Sequence, residues 1–172
     1  MKRLAYDEVT LKGALHVPGD KSMTHRSLML AALAKGDSYI KDPLMSRDIL
    51  STVRLCENLG VCIDRSDPYI WHVHILGRDH FQLKQSTLNL ENSGTTMRLG
   101  MGLLAGVDDQ ILLSGDHSLN QRPMKRVMDP LTRMGMSFQT KEHQNRPPIS
   151  VQGTKNLQAI QYRLPNASAQ VK

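Results

Sequence analysis

Two stretches of this chain carry the same ordered set of element signals, and that repetition limits the possible folds more than any other feature. Residues 10–76 read as strand, helix, strand, helix, strand, strand, and residues 87–153 read the same way. In the first stretch the strands are expected at 10–17, 38–41, 61–64 and 69–75, and the helices at 23–34 and 47–59. In the second, the strands are expected at 87–90, 110–113, 136–139 and 149–151, and the helices at 95–105 and 124–134. Leu59-Gly60-Val61, where one helix closes, returns as Met134-Gly135-Met136 where another closes. Pro130 departs from the pattern, because a mid-helix proline removes a backbone bond and should kink the helix. A further strand is expected at 159–164, followed by the start of a third unit near Lys172. The expected fold class is α/β, built from βαβαββ units: two complete ones and the beginning of a third.

The turns from strand to helix carry the chemistry. Asp20-Lys21-Ser22-Met23-Thr24-His25-Arg26 overlays Asn92-Ser93-Gly94-Thr95-Thr96-Met97-Arg98, and then Asn166-Ala167-Ser168-Ala169-Gln170-Val171-Lys172. Each has a small polar or acidic residue at the turn, a Ser or Gly at the helix start, and a base four residues later. A helix start bears unpaired N–H groups and a partial positive charge, so a lysine there costs about 0.3–1 kcal/mol. Lys21 is worth keeping at such a place if it faces a bound anion. Ser, Thr and Gly at helix starts leave amides free, which is how proteins hold phosphates and carboxylates. Any one of these turns is compatible with an ordinary capped helix; three of them brought together by the repeat would form one anion site. A fourth basic element, "GDHSLNQRPMKR", sets Arg122 before Pro123, which fits the first turn of a helix and would hold Arg122 at its mouth. Lys125 and Arg126 are expected on the solvated face. Lys21-Ser22 is not the end of a P-loop, because Leu15 and Asp20 stand where that motif needs glycines.

Composition narrows the partners. A net charge of +6 and a pI near 9.5 favour acidic partners, polymeric or small. Aromatic residues make up only 4%, and no block of five like charges occurs, which argues against nucleic-acid binding. No apolar run of about 18 residues and no signal-peptide pattern is present, so a membrane span is not expected and a cytoplasmic location is. Cys56 and Cys62 are expected to be core thiols in a reducing compartment. His72 and His74 would share a strand face, but His16, His80, His117 and His143 add no third ligand, so no metal is expected. His25 is expected to form a polar wall beside the first anion turn, and Asp48 to be a first-turn helix carboxylate. There is no Gly-x-Ser-x-Gly elbow and no CxxC.

Four motifs together, "LHVPGDKSMTHRSLMLAALAKG", "NSGTTMRLGMGLLAG", "GDHSLNQRPMKRVMDPL" and "NASAQVK", resemble the successive motifs of the EPSP synthase family, the 3-phosphoshikimate 1-carboxyvinyltransferases. The resemblance runs from about residue 10 to residue 172. It implies the enolpyruvyl transferase fold, with two α/β domains of three units each. Residues 1–17 would then be a strand region of the C-terminal domain, and 18–172 an incomplete N-terminal domain. The implied reaction moves the enolpyruvyl group of phosphoenolpyruvate to the 5-hydroxyl of shikimate 3-phosphate and releases phosphate, with no metal or organic cofactor. By motif match, Lys21 would be catalytic and touch both substrates. Ser22, Arg26, Ser168 and Gln170 would hold shikimate 3-phosphate; Gly94, Arg122 and Gln170 would hold phosphoenolpyruvate; Asn92 would support the loop. The implied partners are these small anions and neither nucleic acid nor membrane, with a monomer at full length, and glyphosate as an inhibitor at the phosphoenolpyruvate site. Family chains are more than twice this long, so the chain resembles a fragment inactive alone. The non-enzymatic alternative is a truncated product that at most binds shikimate 3-phosphate. The sister UDP-N-acetylglucosamine enolpyruvyl transferases carry a reactive Cys five residues before their Arg-Pro, where this chain has His117. Three departures from the family stand out: Glu91 where Gly is usual, Ala169 where some members have a second Ser, and Leu99 where many carry Pro.

Overall fold

The computed structural model describes residues 12–141, 144–165 and 167–171. Residues 10 and 11 of the first expected strand, His143, Asn166 and Lys172 lie outside the described residues. The first unit runs α1 (Lys21–Leu33), β1 (Gly36–Lys41), α2 (Arg47–Asn58), β2 (Cys62–Asp64) and β3 (Ile70–Ile75). The second runs β4 (Thr87–Asn89), α3 (Gly94–Leu103), β5 (Gln110–Ser114), α4 (His117–Asn120), α5 (Lys125–Arg133), β6 (Ser137–Thr140) and β7 (Ile149–Gln152). Side chains start the helices as their sequences demand. Asp20 accepts the Met23 amide at 2.7 Å, and Ser46 and Ser93 accept those of Ile49 and Thr96.

The repetition expected from the sequence is present in the pairing. β1 lies antiparallel to β3 and β3 to β2, giving the order β1-β3-β2. In the second sheet, β5 lies antiparallel to β7 and β7 to β6, with β4 added parallel to β5. Gly60 and Gly135 close the equivalent helices α2 and α5 at φ 90° and 108°, where an L side chain would be strained. The buried faces agree too: Thr24, His25, Leu28, Met29 and Ala31 of α1 match Thr96, Met97, Gly100, Met101 and Leu103 of α3, all 72 residues on (96 − 24). The caps are one residue out of that register, Asp20 against Ser93. Helix packing sets which face is buried, whereas the cap is whichever side chain reaches the free amides.

The core is shared by α1, α2 and α3, which pack on one another, with Trp71, Val73 and Ile75 of β3 buried beneath them. Each fully buried Leu, Ile or Met, such as Leu28, Ile49, Leu55 and Met97, contributes about 1.5–3 kcal/mol. Four expectations are corrected. Residues 12–17 form no strand: they have no ladder partner among the described residues, and Leu15 and Val17 stand exposed. Residues 159–164 keep the alternating exposure of a strand but likewise pair with nothing described. Cys62 is exposed on the outer face of β2, although Cys56 is buried. The helix expected at 124–134 begins at Lys125, after Pro123, and a short helix, α4, precedes it. Pro130 is buried in α5 and cannot serve the carbonyl of Arg126, a loss of one bond in a nine-residue helix.

Candidate anion-binding site

Lys21 is the first residue of α1, and its Nζ donates to Asp48 Oδ2 at 2.8 Å. Asp48 lies in the first turn of α2, where a carboxylate suits the helix dipole. The lysine at a helix start is thus compensated by a carboxylate borrowed from the next helix. The amides of Lys21 and Ser22 have no acceptor among the described residues, and Ser22 and Arg26 are exposed without side-chain partners there. The α1 start offers free N–H groups, a hydroxyl and two cations.

At the α3 start, Gly94 lies between two guanidinium groups. A Cβ on Gly94 would sit 2.9 Å from Nη1 of both Arg98 and Arg122. Arg126 adds a third positive charge: burial, then Arg126 and Arg122, pull the Arg98 guanidinium below its ordinary pKa. None of the three forms an ion pair with a carboxylate among the described residues, and Arg98 Nε is buried without a partner. Arg98 and Arg126 line a cleft of about 480 Å³ with Asp129, whose carboxylate accepts from Lys125 at 2.7 Å. Arg122 is positioned by α4 and the β4–α3 turn, not by α5 as expected: its amide donates to Leu119 O, and its Nη2 to Asn92 Oδ1 and Ser118 Oγ. Asn92 in turn donates through Nδ2 to Asp116 at 2.7 Å, a bond that holds the Asp116 carboxyl below its usual pKa. Because Asp116 can only accept and Arg122 can only donate, the Asn92 amide has a single orientation.

The third turn reaches this cluster. Gln170 Oε1 accepts from Arg126 Nη2 at 2.8 Å, which leaves its Nε2 facing Thr95 Oγ1 at 3.4 Å. Arg126 therefore does more than sit on a solvated face. Ser168 is half-buried in the same turn, and its carbonyl accepts the Val171 amide. The structure thus joins Asn92, Gly94, Arg122 and Gln170 in one cluster, adds Arg98 and Arg126, and ties Lys21 to Asp48 beside it. Asp48 is the first-turn carboxylate expected, but neither its pairing with Lys21 nor the place of Arg98 beside Gly94 is predicted from the sequence. Arg98 ends the second overlaid turn as Arg26 ends the first, which was the available signal.

Beneath the helix starts runs a buried polar chain. His25 Nδ1 lies 2.7 Å from Thr52 Oγ1, Thr52 Oγ1 2.7 Å from Thr96 Oγ1, and Thr96 Oγ1 2.6 Å from Ser93 Oγ. His25 is not a wall of the anion turn: it is fully buried, and that burial lowers its pKa. Glu91, at φ 53°, turns its carboxylate to Arg54 at 2.8 Å and not toward the three arginines. His72 and His74 both bond Asp37 Oδ1, yet no group of three potential ligands among the described residues is arranged to hold a metal. No helix among those residues is long and apolar enough to cross a membrane.

Fold and site together define a repeat-built α/β protein that gathers helix starts and three arginines without carboxylate partners among the described residues. Residues 6–172 match the family model of EPSP synthase (3-phosphoshikimate 1-carboxyvinyltransferase). The chain is 44% identical over 162 residues to the 3-phosphoshikimate 1-carboxyvinyltransferase of Streptococcus thermophilus, covering 94% of this chain and 38% of that protein. The solved EPSP synthase of Acinetobacter baumannii superposes with a TM-score of 0.88 at 40% identity, covering 93% of this chain and 36% of that one. The chain belongs to the EPSP synthase family, and it spans about two-fifths of the length of these relatives.

Proposed function

We propose that this chain supplies the N-terminal part of an enzyme that transfers the enolpyruvyl group of phosphoenolpyruvate to shikimate 3-phosphate. The carrying observation is the set Arg98, Arg122 and Arg126, none with a carboxylate partner among the described residues: the first two flank Gly94 and the third acts on Arg98, with the Lys21 helix start as a further cation. Two multiply charged anions can be held side by side only where cations and free amides are already in place, and that preorganisation serves positioning and charge stabilisation together. In this reading Lys21, Ser22, Arg26, Ser168 and Gln170 hold shikimate 3-phosphate. Gly94, Arg122 and Gln170, with Lys21, hold phosphoenolpyruvate, and Asn92 supports Arg122. The 5-hydroxyl adds to C2 of phosphoenolpyruvate while C3 gains a proton; phosphate and a C3 proton then leave. Lys21 is the proton carrier, and Asp48 holds its ammonium in place. Residues 18–172 form most of an N-terminal domain, residues 1–17 belong with the second domain, and turnover needs the remainder of the family's length. The whole enzyme is a cytoplasmic monomer.

Calorimetry with shikimate 3-phosphate tests this directly. The folded chain should bind it saturably and release no phosphate when phosphoenolpyruvate is added. Absence of binding by a folded chain would overturn the site assignment, and phosphate release by the chain alone would overturn the need for a second part.

A further inference from the structure

The polar chain under the helix starts has no role in the reading above. His25, Thr52, Thr96 and Ser93 are all fully buried, and they come from α1, α2, α3 and the cap of α3. Five hydrogen bonds are available to them. Beyond the three contacts already described, Thr96 N donates to Ser93 Oγ at 3.3 Å and Thr96 Oγ1 to the carbonyl of Asp48 at 3.3 Å. Proton counting selects one arrangement. Suppose His25 carries its proton on Nδ1. It donates to Thr52, Thr52 to Thr96, Ser93 to Thr96, Thr96 to Asp48 O, and the Thr96 amide to Ser93; every donor is used and all five bonds form. Suppose instead that the proton is on Nε2. Thr52 must then donate to His25, and the single Thr96 proton can serve Thr52 or the Asp48 carbonyl but not both, so one of the five bonds is lost. The Nε2–H would also be a buried donor with no partner, because His25 Nε2 has none.

We propose that His25 is a positioning residue: as the neutral Nδ1–H tautomer it orders the Thr52 and Thr96 hydroxyls and so sets the α3 start against the α1 and α2 starts. One end of the chain is Ser93, next to Gly94. The other branch is the backbone of Asp48, whose carboxylate holds Lys21. His25 stands one helical turn after Lys21 on α1. The relay therefore links the Lys21 start to the Gly94 start by short bonds shielded from water, where such bonds are strongest. Its purpose rests on the reading of those starts as the substrate site; its existence does not.

The tautomer is read in the unmodified chain from two-bond ¹H–¹⁵N correlations of the histidine ring. The expected pattern is Nδ1–H with a bare Nε2; an Nε2–H ring or an imidazolium at neutral pH overturns the proposal. Two substitutions then separate the relay from packing. Thr52→Val removes the hydroxyl at nearly constant shape, and Thr52→Ser keeps it. The Thr96 amide, which is capped through the relay, should exchange roughly fivefold faster in Thr52→Val and at the native rate in Thr52→Ser. Phosphoenolpyruvate affinity should follow the same order, weakened in the first and restored in the second. Native exchange in Thr52→Val refutes the relay. If the native chain binds no phosphoenolpyruvate, the functional reading fails, while tautomer and exchange still decide the relay. If Thr52→Val does not fold, the tautomer decides alone.

Discussion

Replacing Lys21 by methionine separates a binding residue from a structural one. In the unliganded protein the substitution removes two opposing terms. The Lys21–Asp48 pair has side chains 51% and 30% exposed, and such pairs contribute about 0.2–1 kcal/mol. Against it stands the penalty of a cation in the first turn of α1, about 0.3–1 kcal/mol. Asp48 keeps its own favourable place in the first turn of α2 after the lysine is gone. The net change should fall within about 0.5 kcal/mol of zero, or roughly 1–2 °C in Tm for a chain of this size. With shikimate 3-phosphate bound, the same substitution removes a charge-assisted contact of about 1.5–3 kcal/mol, a loss of about 10- to 150-fold in affinity. Thermal melts of both proteins, with and without shikimate 3-phosphate, give both quantities in one assay. A variant that melts more than about 5 °C below the native chain when empty would refute the reasoning, because Lys21 would then hold the fold.

Other substitutions address the site and its supports. Gly94→Ala places a methyl 2.9 Å from Arg98 and Arg122 Nη1; these flexible ends can move, so Tm should hold while phosphoenolpyruvate affinity drops by about tenfold in calorimetry. Glu91→Gly relieves a left-handed backbone at φ 53° and loses only an exposed ion pair, so chemical denaturation should show a stability change between zero and about +1 kcal/mol. His25 has a lowered folded pKa, so the unfolded chain binds more protons in the window just below neutrality; stability should fall from pH 7 toward about pH 5, and less so in His25→Gln, by denaturation at each pH. Cys62 is exposed and should react with a thiol reagent in the native chain, whereas Cys56, its pKa pushed up to about 12 by burial, should react only on unfolding.

What could be read from the sequence was whatever is encoded locally. Ser46 before an apolar stripe and Gly60 after it bounded α2 because caps and periodicity act within a few residues. The doubled unit was legible for the same reason, twice over. Pairing was not local, and there the reading failed. Residues 159–164 alternate as a strand does, yet a strand exists only where a partner supplies the ladder. The support of Arg122 was not legible, since α4 is a four-residue helix too short to show a period, and the Arg122–Asn92 and Asn92–Asp116 bonds that fix it span 30 and 24 residues. His25 was misjudged because a single histidine on a helix carries no sign of which neighbours will surround it. Its hydroxyl partner, Thr52, lies on another helix, and only packing brings the two together.

The exposed lysine and the buried histidine are two answers to one physical difficulty. In the proposed reading, a site for two anions accumulates positive charge before either ligand arrives; burial first, and then the charges of Arg126 and Arg122, depress the Arg98 guanidinium. The fold offsets part of this with carboxylates: Asp48 holds Lys21 from the neighbouring helix, and Asp116 is linked to Arg122 by hydrogen bonds through the neutral amide of Asn92. A direct carboxylate on Arg122 would compete with the ligand, whereas an amide oxygen leaves the full charge available. Beneath these groups a further ion would only add to the repulsion, so the linkage between the helix starts is made of hydroxyls and a neutral imidazole. The repeat explains why this arrangement is economical. One strand-to-helix turn already offers free amides, and duplicating the unit brings a second such turn beside it, so that only the side chains needed to diverge: Lys21 and Asp48 in one unit, Gly94 and Arg122 in the other.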